Sequence, residues 1–224
     1  NNPKIKNNFF NIGDKKKLEK LIKKVKPDLI FHLAAQAIVA KSFRYPFKTW
    51  SSNTVGMLNL MESLKVIKKK CSVIIITSDK VYKNVEQQKG YKEDDILHGL
   101  DPYSASKSCA DILAQSYINS ILCKNTNINF GIARAGNVIG GGDFSDDRII
   151  PDLIKSSKLK KKLILRQPNS TRPWQHVIEI IYGYLTLSKY LYLDKKCKLE
   201  ILNFGPKKNF TFKVIDIVKE AKKY

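Results

Sequence analysis

The sequence predicts an α/β fold: a doubly wound parallel sheet with helices on both faces. Three observations lead there. Residues 28–35, 72–77 and 128–133 are short runs that are apolar almost throughout, as strands buried on both faces are. Segments with apolar residues at helical spacing alternate with these runs, which is the βα pattern of a parallel sheet. The 224 residues are 43% hydrophobic, enough apolar material for one large core and too much for a disordered chain.

The elements follow in order. Leu18, Leu21, Ile22 and Val25 recur at helical spacing and predict a first helix. Residues 28–35 come after Pro27 and predict a buried strand. A long helical pattern covers residues 46–68, with Pro46 suited to a first turn. Residues 72–77 form a second strand, rich in β-branched side chains. Residues 84–101 are polar and predict a loop, and a helix is expected over 103–123. Residues 128–133 predict a third strand, 163–165 a fourth and 200–203 a fifth. Helical patterns cover 177–191 and 212–222. There are no internal repeats and no low-complexity linker. The Gly140-Gly141-Gly142 turn is the best boundary between two lobes.

The formal net charge is +21, from 41 Lys and Arg against 20 Asp and Glu. Thirty-six of the basic residues are Lys and only five are Arg. Arg is the residue that reads phosphates and base edges through paired bonds. The Lys runs at 15–17, 68–70, 160–162 and 195–196 fall where helices or loops meet solvent. A Lys-rich surface is therefore expected, and no nucleic-acid partner, which would call for clustered Arg with interleaved aromatics. No stretch approaches the ~18 apolar residues of a membrane span. The first residues carry no apolar signal-peptide core. Cys71, Cys109, Cys123 and Cys197 show neither CxxC spacing nor His clustering, so no metal site is expected. Reduced thiols in a cytoplasmic protein are the expectation.

Doubly wound sheets often hold a dinucleotide on a Gly-rich first turn. None of the eleven glycines forms GxGxxG or GxxGxxG. Gly140 to Gly142 is not followed by Lys and Ser or Thr, so it is no phosphate loop either.

Chemistry concentrates elsewhere. Tyr103-Ser104-Ala105-Ser106-Lys107 places a phenol and an ammonium at i and i+4, on one face of a helix. An ammonium near a phenol lowers its pKa from about 10, which makes Tyr103 a candidate general base. Alone, this pattern is common. Thr77-Ser78-Asp79-Lys80, however, lies at the carboxyl end of a buried strand, where open α/β sheets bind ligands. Ser78 precedes Tyr103 by 25 residues.

A strand-end Ser that far ahead of YxxxK resembles the short-chain dehydrogenase/reductase superfamily, in its extended form. Further segments narrow the resemblance. They are His32-Leu33-Ala34-Ala35-Gln36, Asn53-Thr54-Val55-Gly56, the run from Arg134 through Asn137 and Gly140 to Asp143, and the run from Thr171 and Arg172 to Val177. With Thr77-Ser78-Asp79-Lys80 they are similar to the nucleotide-sugar dehydratase branch, nearest to the CDP-glucose 4,6-dehydratases. The resemblance covers nearly the whole sequence and implies a Rossmann-type, NAD-binding domain with part of a smaller substrate lobe.

What the resemblance implies about residues is specific. Tyr103 takes the proton from the sugar 4-hydroxyl during oxidation at C4. Lys107 holds the cofactor ribose and lowers the Tyr103 pKa. Ser78 hydrogen-bonds the reacting oxygen. Asp79 protonates the hydroxyl leaving C6, which requires a protonated carboxyl. Lys80 stands where dTDP-glucose dehydratases carry a Glu that acts as the C5 base. This favours the CDP branch, leaves the C5 base open and opposes protonation of Asp79. Asp14, Ala34, Ala35, Gln36 and Asn53 are implied cofactor contacts, with Tyr103 and Lys107. Asn137, Arg148 and Arg172 are implied substrate contacts, Arg172 as a diphosphate clamp. Arg148 is equally read as a surface ion pair. Trp174 suits base stacking or core packing, and His32 and His176 are expected to be buried structural histidines.

By the same resemblance, residues 1–137 form the NAD-binding part and residues 138–224 the nucleotide-sugar part with segments returning to the core. The family begins with a GxxGxxG βα unit. The first methionine here is Met57, and the sequence is expected to be a partial one, lacking that unit and the end of the substrate lobe. Such a piece alone is expected to bind NAD poorly and to be inactive. The complete protein is expected to be a homo-oligomer. The alternatives are a dTDP-glucose 4,6-dehydratase, a UDP-sugar 4-epimerase, a non-catalytic remnant and, from another class, a basic nucleic-acid-binding protein. The nucleotide preference and the downstream deoxysugar stay open.

Overall fold

A computed structural model describes residues 4–87, 89–194, 199–206 and 212–223 of the chain. Lys195, Lys196 and Cys197 of the sequence reading lie outside the described residues. In chain order the elements are helix α1 (Lys15–Val25), strand β1 (Leu29–His32), and helices α2 (Val39–Arg44), α3 (Pro46–Trp50) and α4 (Gly56–Leu64). Strand β2 (Cys71–Ile76), helix α5 (Pro102–Ser120), strands β3 (Ile128–Ala135) and β4 (Val138–Ile139), and helix α6 (Ile149–Lys158) come next. Strands β5 (Thr171–Arg172) and β6 (Gln175–His176), helix α7 (Val177–Leu193), strands β7 (Leu199–Phe204) and β8 (Phe212–Lys213), and helix α8 (Val214–Ala221) complete the order.

The main sheet runs β1-β2-β3-β7, parallel at every pairing. Its strands alternate between two cores. Cys71, Val73 and Ile75 of β2 and Ile128, Phe130 and Ile132 of β3 pack under α1, α4 and α5. Ile74, Ala133 and Ala135 face Ile180, Tyr184, Leu187 and Leu191 of α7 on the opposite side. Helices thus cover both faces, which explains why β2 and β3 are apolar along their whole length. Two small two-stranded sheets, β4-β6 and β5-β8, lie outside the main sheet.

The helix carrying Tyr103 is built by local rules. Asp101 caps it, with Oδ1 accepting from the backbone N–H groups of Tyr103 and Ser104, both at 3.0 Å. Pro102 occupies the first turn. Gly99 packs flat on this start: a Cβ there would lie 2.1 Å from the Ala105 nitrogen.

Several expectations need correction. Residues 163–165 form no strand; Ile164 is 81% exposed and finds no sheet edge to join. The 46–68 helix is interrupted by a π-helical segment, Ser51–Val55, and α4 ends at Leu64. β1 stops at His32 rather than at residue 35. Helix α6 was not expected, because Pro151 interrupts the pattern; the proline sits in its first turn, where a missing N–H costs nothing. His32 is buried as expected, but His176 is exposed and caps α7, Nδ1 accepting from the Ile178 N–H at 3.3 Å.

Candidate active site

The carboxyl ends of β1, β2 and β3 stop side by side, since His32 pairs with Ile75 and Ile76 with Ala133. A cleft of about 1500 Å³ opens beyond them. Ser78, Asp79, Lys80 and Tyr103 line one side, and Asn137, Arg148, Arg172 and Trp174 another. The sequence places these residues over a span of nearly a hundred positions; the parallel sheet gathers them.

Ser78 is 6% and Tyr103 8% exposed. The Ser78 hydroxyl donates to Asp79 Oδ1 at 3.1 Å, and its oxygen accepts from the Lys80 backbone N–H at 3.2 Å. Burial raises the Asp79 pKa above its ordinary 3.8, against the opposing pull of Lys80, the Ser78 hydrogen bond and Arg172. Desolvation therefore outweighs the neighbouring cations, and the carboxyl is shifted toward its acid form.

Tyr103 departs from the simple expectation. Burial pushes its phenol above 10, while a hydrogen bond with Ser78 pulls it down. The Lys107 ammonium donates instead to the Ile76 carbonyl oxygen at 2.8 Å. Burial lowers the Lys107 pKa to about 8, and Asp111 opposes that shift. Lys107 lies beneath the cleft rather than in its wall.

The remaining residues divide. Asn53 and Gln36 brace each other: Gln36 N–H donates to Asn53 Oδ1 at 2.8 Å, and Asn53 Nδ2 donates to the Gln36 carbonyl at 3.1 Å and to Ser106 Oγ at 2.9 Å. Their amides tie the β1 exit to the Tyr103 helix. Ala34 is exposed and Ala35 half-buried in that exit. Asp14 caps α1 through the Lys17 N–H at 3.0 Å and lies outside the cleft lining. Arg148 pairs with Asp143 at 3.1 Å within the cleft wall, so it is both an ion-pair member and a lining residue. Arg172 Nη1 donates to the Thr171 carbonyl at 2.7 Å. Trp174 Nε1 donates to the Phe212 carbonyl at 3.3 Å. No group of three or more His, Cys, Asp or Glu that could hold a metal occurs among the described residues. No described helix is long and apolar enough to cross a membrane.

One cluster escaped the sequence reading. Arg134 and Asp111 are buried and joined by two bonds of 2.9 Å. The signal was present: Asp111 continues the four-residue spacing of Tyr103 and Lys107, and Arg134 is a lone charge in an apolar strand.

A parallel α/β sheet with Ser, Tyr and Lys gathered at its strand ends is the arrangement of the short-chain dehydrogenase/reductase superfamily. The family model described as GDP-mannose 4,6 dehydratase matches residues 1–196, and the chain belongs to that family. A CDP-glucose 4,6-dehydratase of Salmonella typhimurium is 40% identical over 210 residues, covering 92% of this chain and 58% of that protein. A dTDP-D-glucose 4,6-dehydratase of Dictyostelium discoideum is 31% identical over 185 residues, covering 78% of this chain and 41% of that one. The chain thus spans less than two thirds of the length of these relatives. A solved dTDP-glucose 4,6-dehydratase of Streptomyces venezuelae superposes with a TM-score of 0.80 at 18% identity, covering 98% of this chain and 63% of that one. This last likeness concerns the fold.

Proposed function

We propose that the protein is a nucleotide-sugar 4,6-dehydratase that converts CDP-glucose to CDP-4-keto-6-deoxyglucose with NAD as cofactor. The observation that carries this reading is the Ser78-Asp79-Lys80 strand end lining one cleft together with Tyr103, with burial holding Asp79 toward its acid form. The 40% identity to a CDP-glucose 4,6-dehydratase supports the same substrate.

The residues present fit the cofactor. Ala34 is exposed and Ala35 half-buried where the chain leaves β1, and their small side chains suit a cofactor ribose there. The Lys107 ammonium has three N–H donors, of which Ile76 O takes one. When bound, NAD supplies the hydride acceptor and donor. Tyr103 takes the 4-hydroxyl proton, with Ser78 holding the same oxygen. The ketone formed at C4 acidifies the C5 proton. Asp79 delivers its proton to the hydroxyl that leaves C6 as water. Lys80 lies beside Asp79 at the cleft and is a candidate for the C5 proton. Arg172, Asn137 and Arg148 bind the diphosphate, the two guanidiniums as donors to phosphate oxygens. Asp14, Gln36 and Asn53 shape the cofactor side, the last two through the backbone they brace.

On this reading residues 1–137 carry the cofactor and 138–224 the nucleotide sugar; a cleft lined from both segments supports the division. We place the enzyme in the cytoplasm and expect a homo-oligomer. The free thiols Cys71, Cys109 and Cys123 suit a reducing compartment.

The test is direct. The intact protein is incubated with NAD and, separately, CDP-, dTDP- and UDP-glucose, and the products are followed by mass for loss of water. Preferential dehydration of CDP-glucose is expected. Equal turnover of all three overturns the CDP assignment, and inversion at C4 without water loss would make the protein an epimerase.

A further inference from the structure

Helix α5 presents three side chains at four-residue intervals to three successive residues of the β2 exit. Tyr103 lines the cleft together with Ser78. Lys107 Nζ donates to the Ile76 carbonyl at 2.8 Å. Asp111 Oδ2 accepts from the Thr77 hydroxyl at 2.9 Å. The third contact is the least expected, because a buried carboxylate must be fully hydrogen-bonded to be tolerated.

Asp111 meets that requirement. It is 0% exposed. Besides Thr77, it accepts from Arg134 Nε and Nη2, both at 2.9 Å, and from Gln115 Nε2 at 2.7 Å. Arg134 is anchored in turn: Nη1 donates to the Tyr82 hydroxyl at 2.9 Å and to the Glu93 carbonyl at 2.8 Å. Tyr82 donates to Asn203 Oδ1 at 2.6 Å at the end of β7. Strands β2, β3 and β7, helix α5 and the 84–95 loop are therefore all fixed relative to one carboxylate.

We propose that Asp111 is a positioning residue for the reaction: it holds Thr77, and through it Ser78 and Asp79, in register with Tyr103 and Lys107 on its own helix. This inference rests on the dehydratase reading for its kinetic test. A purely packing role would predict loss of stability alone. A positioning role also predicts a loss of kcat in variants that stay folded, and Asp111→Asn in addition removes a charge that acts on Lys107. The groups bearing on Lys107 are Asp111 on its own helix and His32 on β1. Tyr103 lies one turn before it, and Arg134 on β3 reaches it through Asp111. From β2 the Ile76 carbonyl accepts its hydrogen bond.

The test compares Asp111→Asn and Thr77→Val with the wild-type intact protein, supplied with NAD and CDP-glucose. Asp111→Asn is expected to lower kcat by roughly 10- to 100-fold, the scale of a misplacement of up to about 1 Å. It also removes the anion that holds the Lys107 proton, so the basic limb of the kcat/KM profile moves to lower pH. Thr77→Val removes only the hydroxyl tie; it lowers kcat and leaves that limb in place. Wild-type kcat in both folded variants overturns the proposal. If Asp111→Asn does not fold, wild-type kcat in Thr77→Val is sufficient to overturn it. If the wild type dehydrates no nucleotide sugar, the dehydratase reading fails by itself. The placement of Ser78 relative to Tyr103, read from crystal structures without any ligand, then decides: a displacement in the folded variants supports the positioning role, and an unchanged arrangement overturns it.

Discussion

The Lys107 ammonium rests 2.8 Å from the Ile76 carbonyl oxygen, 6% exposed beneath the strand ends. One backbone acceptor does not replace the water it has lost, and burial brings its pKa from 10.5 to about 8. The unfolded chain therefore binds more protons than the folded one between pH 8 and 10.5. Burial of this charge penalises folding below pH 8, and the penalty fades as pH rises toward 10.5. Relative to Lys107→Met, the wild type should gain on the order of 3 kcal/mol across that window. Urea denaturation of both proteins at pH 7 and 10.5 measures the difference. A constant gap would show that Lys107 is not desolvated.

His32 faces the same charge from β1. Burial, then the Lys107 ammonium, lowers its pKa from 6.5 to about 4. Its folded-state pKa is depressed, so the associated stability is complete above pH 6.5 and is lost as pH falls through 4. The wild type should lose on the order of 3 kcal/mol more than His32→Leu over that interval. The His32 ring should stay neutral at pH 5 by NMR, and a protonated ring there would contradict the burial.

Asp79 and Lys80 make a kinetic prediction. Asp79→Asn cannot supply the proton for C6 and should reduce kcat by roughly a hundredfold or more, within the range of general-acid catalysis. Oxidation at C4 does not need that proton, so reduced cofactor should accumulate and be visible by absorbance. Lys80 holds the Asp79 pKa down. In Lys80→Met the acid stays protonated to higher pH, and the basic limb of the kcat profile should move up. A limb that stays put would place the acid elsewhere.

The sheet strands β2 and β3 were legible because a nearly uninterrupted apolar run has one reading in a sheet covered on both faces, whereas the edge strands β1 and β7 carry shorter apolar runs. The Ser78, Tyr103 and Lys107 set was legible because two local signals coincide, a strand exit and a helical i, i+4 pair. The strand expected at 163–165 failed for the complementary reason: three apolar residues state a preference but not a partner, and Ile164 points to solvent. The roles of Asn53 and Gln36 as mutual braces, and of Asp111 and Arg134 as a buried pair, depend on contacts across 17 and 23 positions. No local pattern encodes which of many polar side chains will meet, so these became visible only once the strands were in register.

The last prediction concerns how Tyr103 is seated. Gly99 lies directly against the first turn of α5: an added Cβ would meet the Ala105 nitrogen at 2.1 Å and its Cα at 2.3 Å. Backbone atoms cannot rotate away as a side chain could. Gly99→Ala must therefore push the loop and the helix start apart, at a cost of about 1–3 kcal/mol or more, as overpacking typically does. The displacement strikes the turn that carries Tyr103, so kcat should fall together with the melting temperature. Gly90 is the control, since an added Cβ there meets nothing within 4 Å. Gly90→Ala should change stability by no more than about 0.5 kcal/mol, the range of ordinary surface substitutions, and leave kcat unchanged. Equal behaviour of the two variants in thermal melts and turnover assays would mean that the start of α5 is not held by this contact.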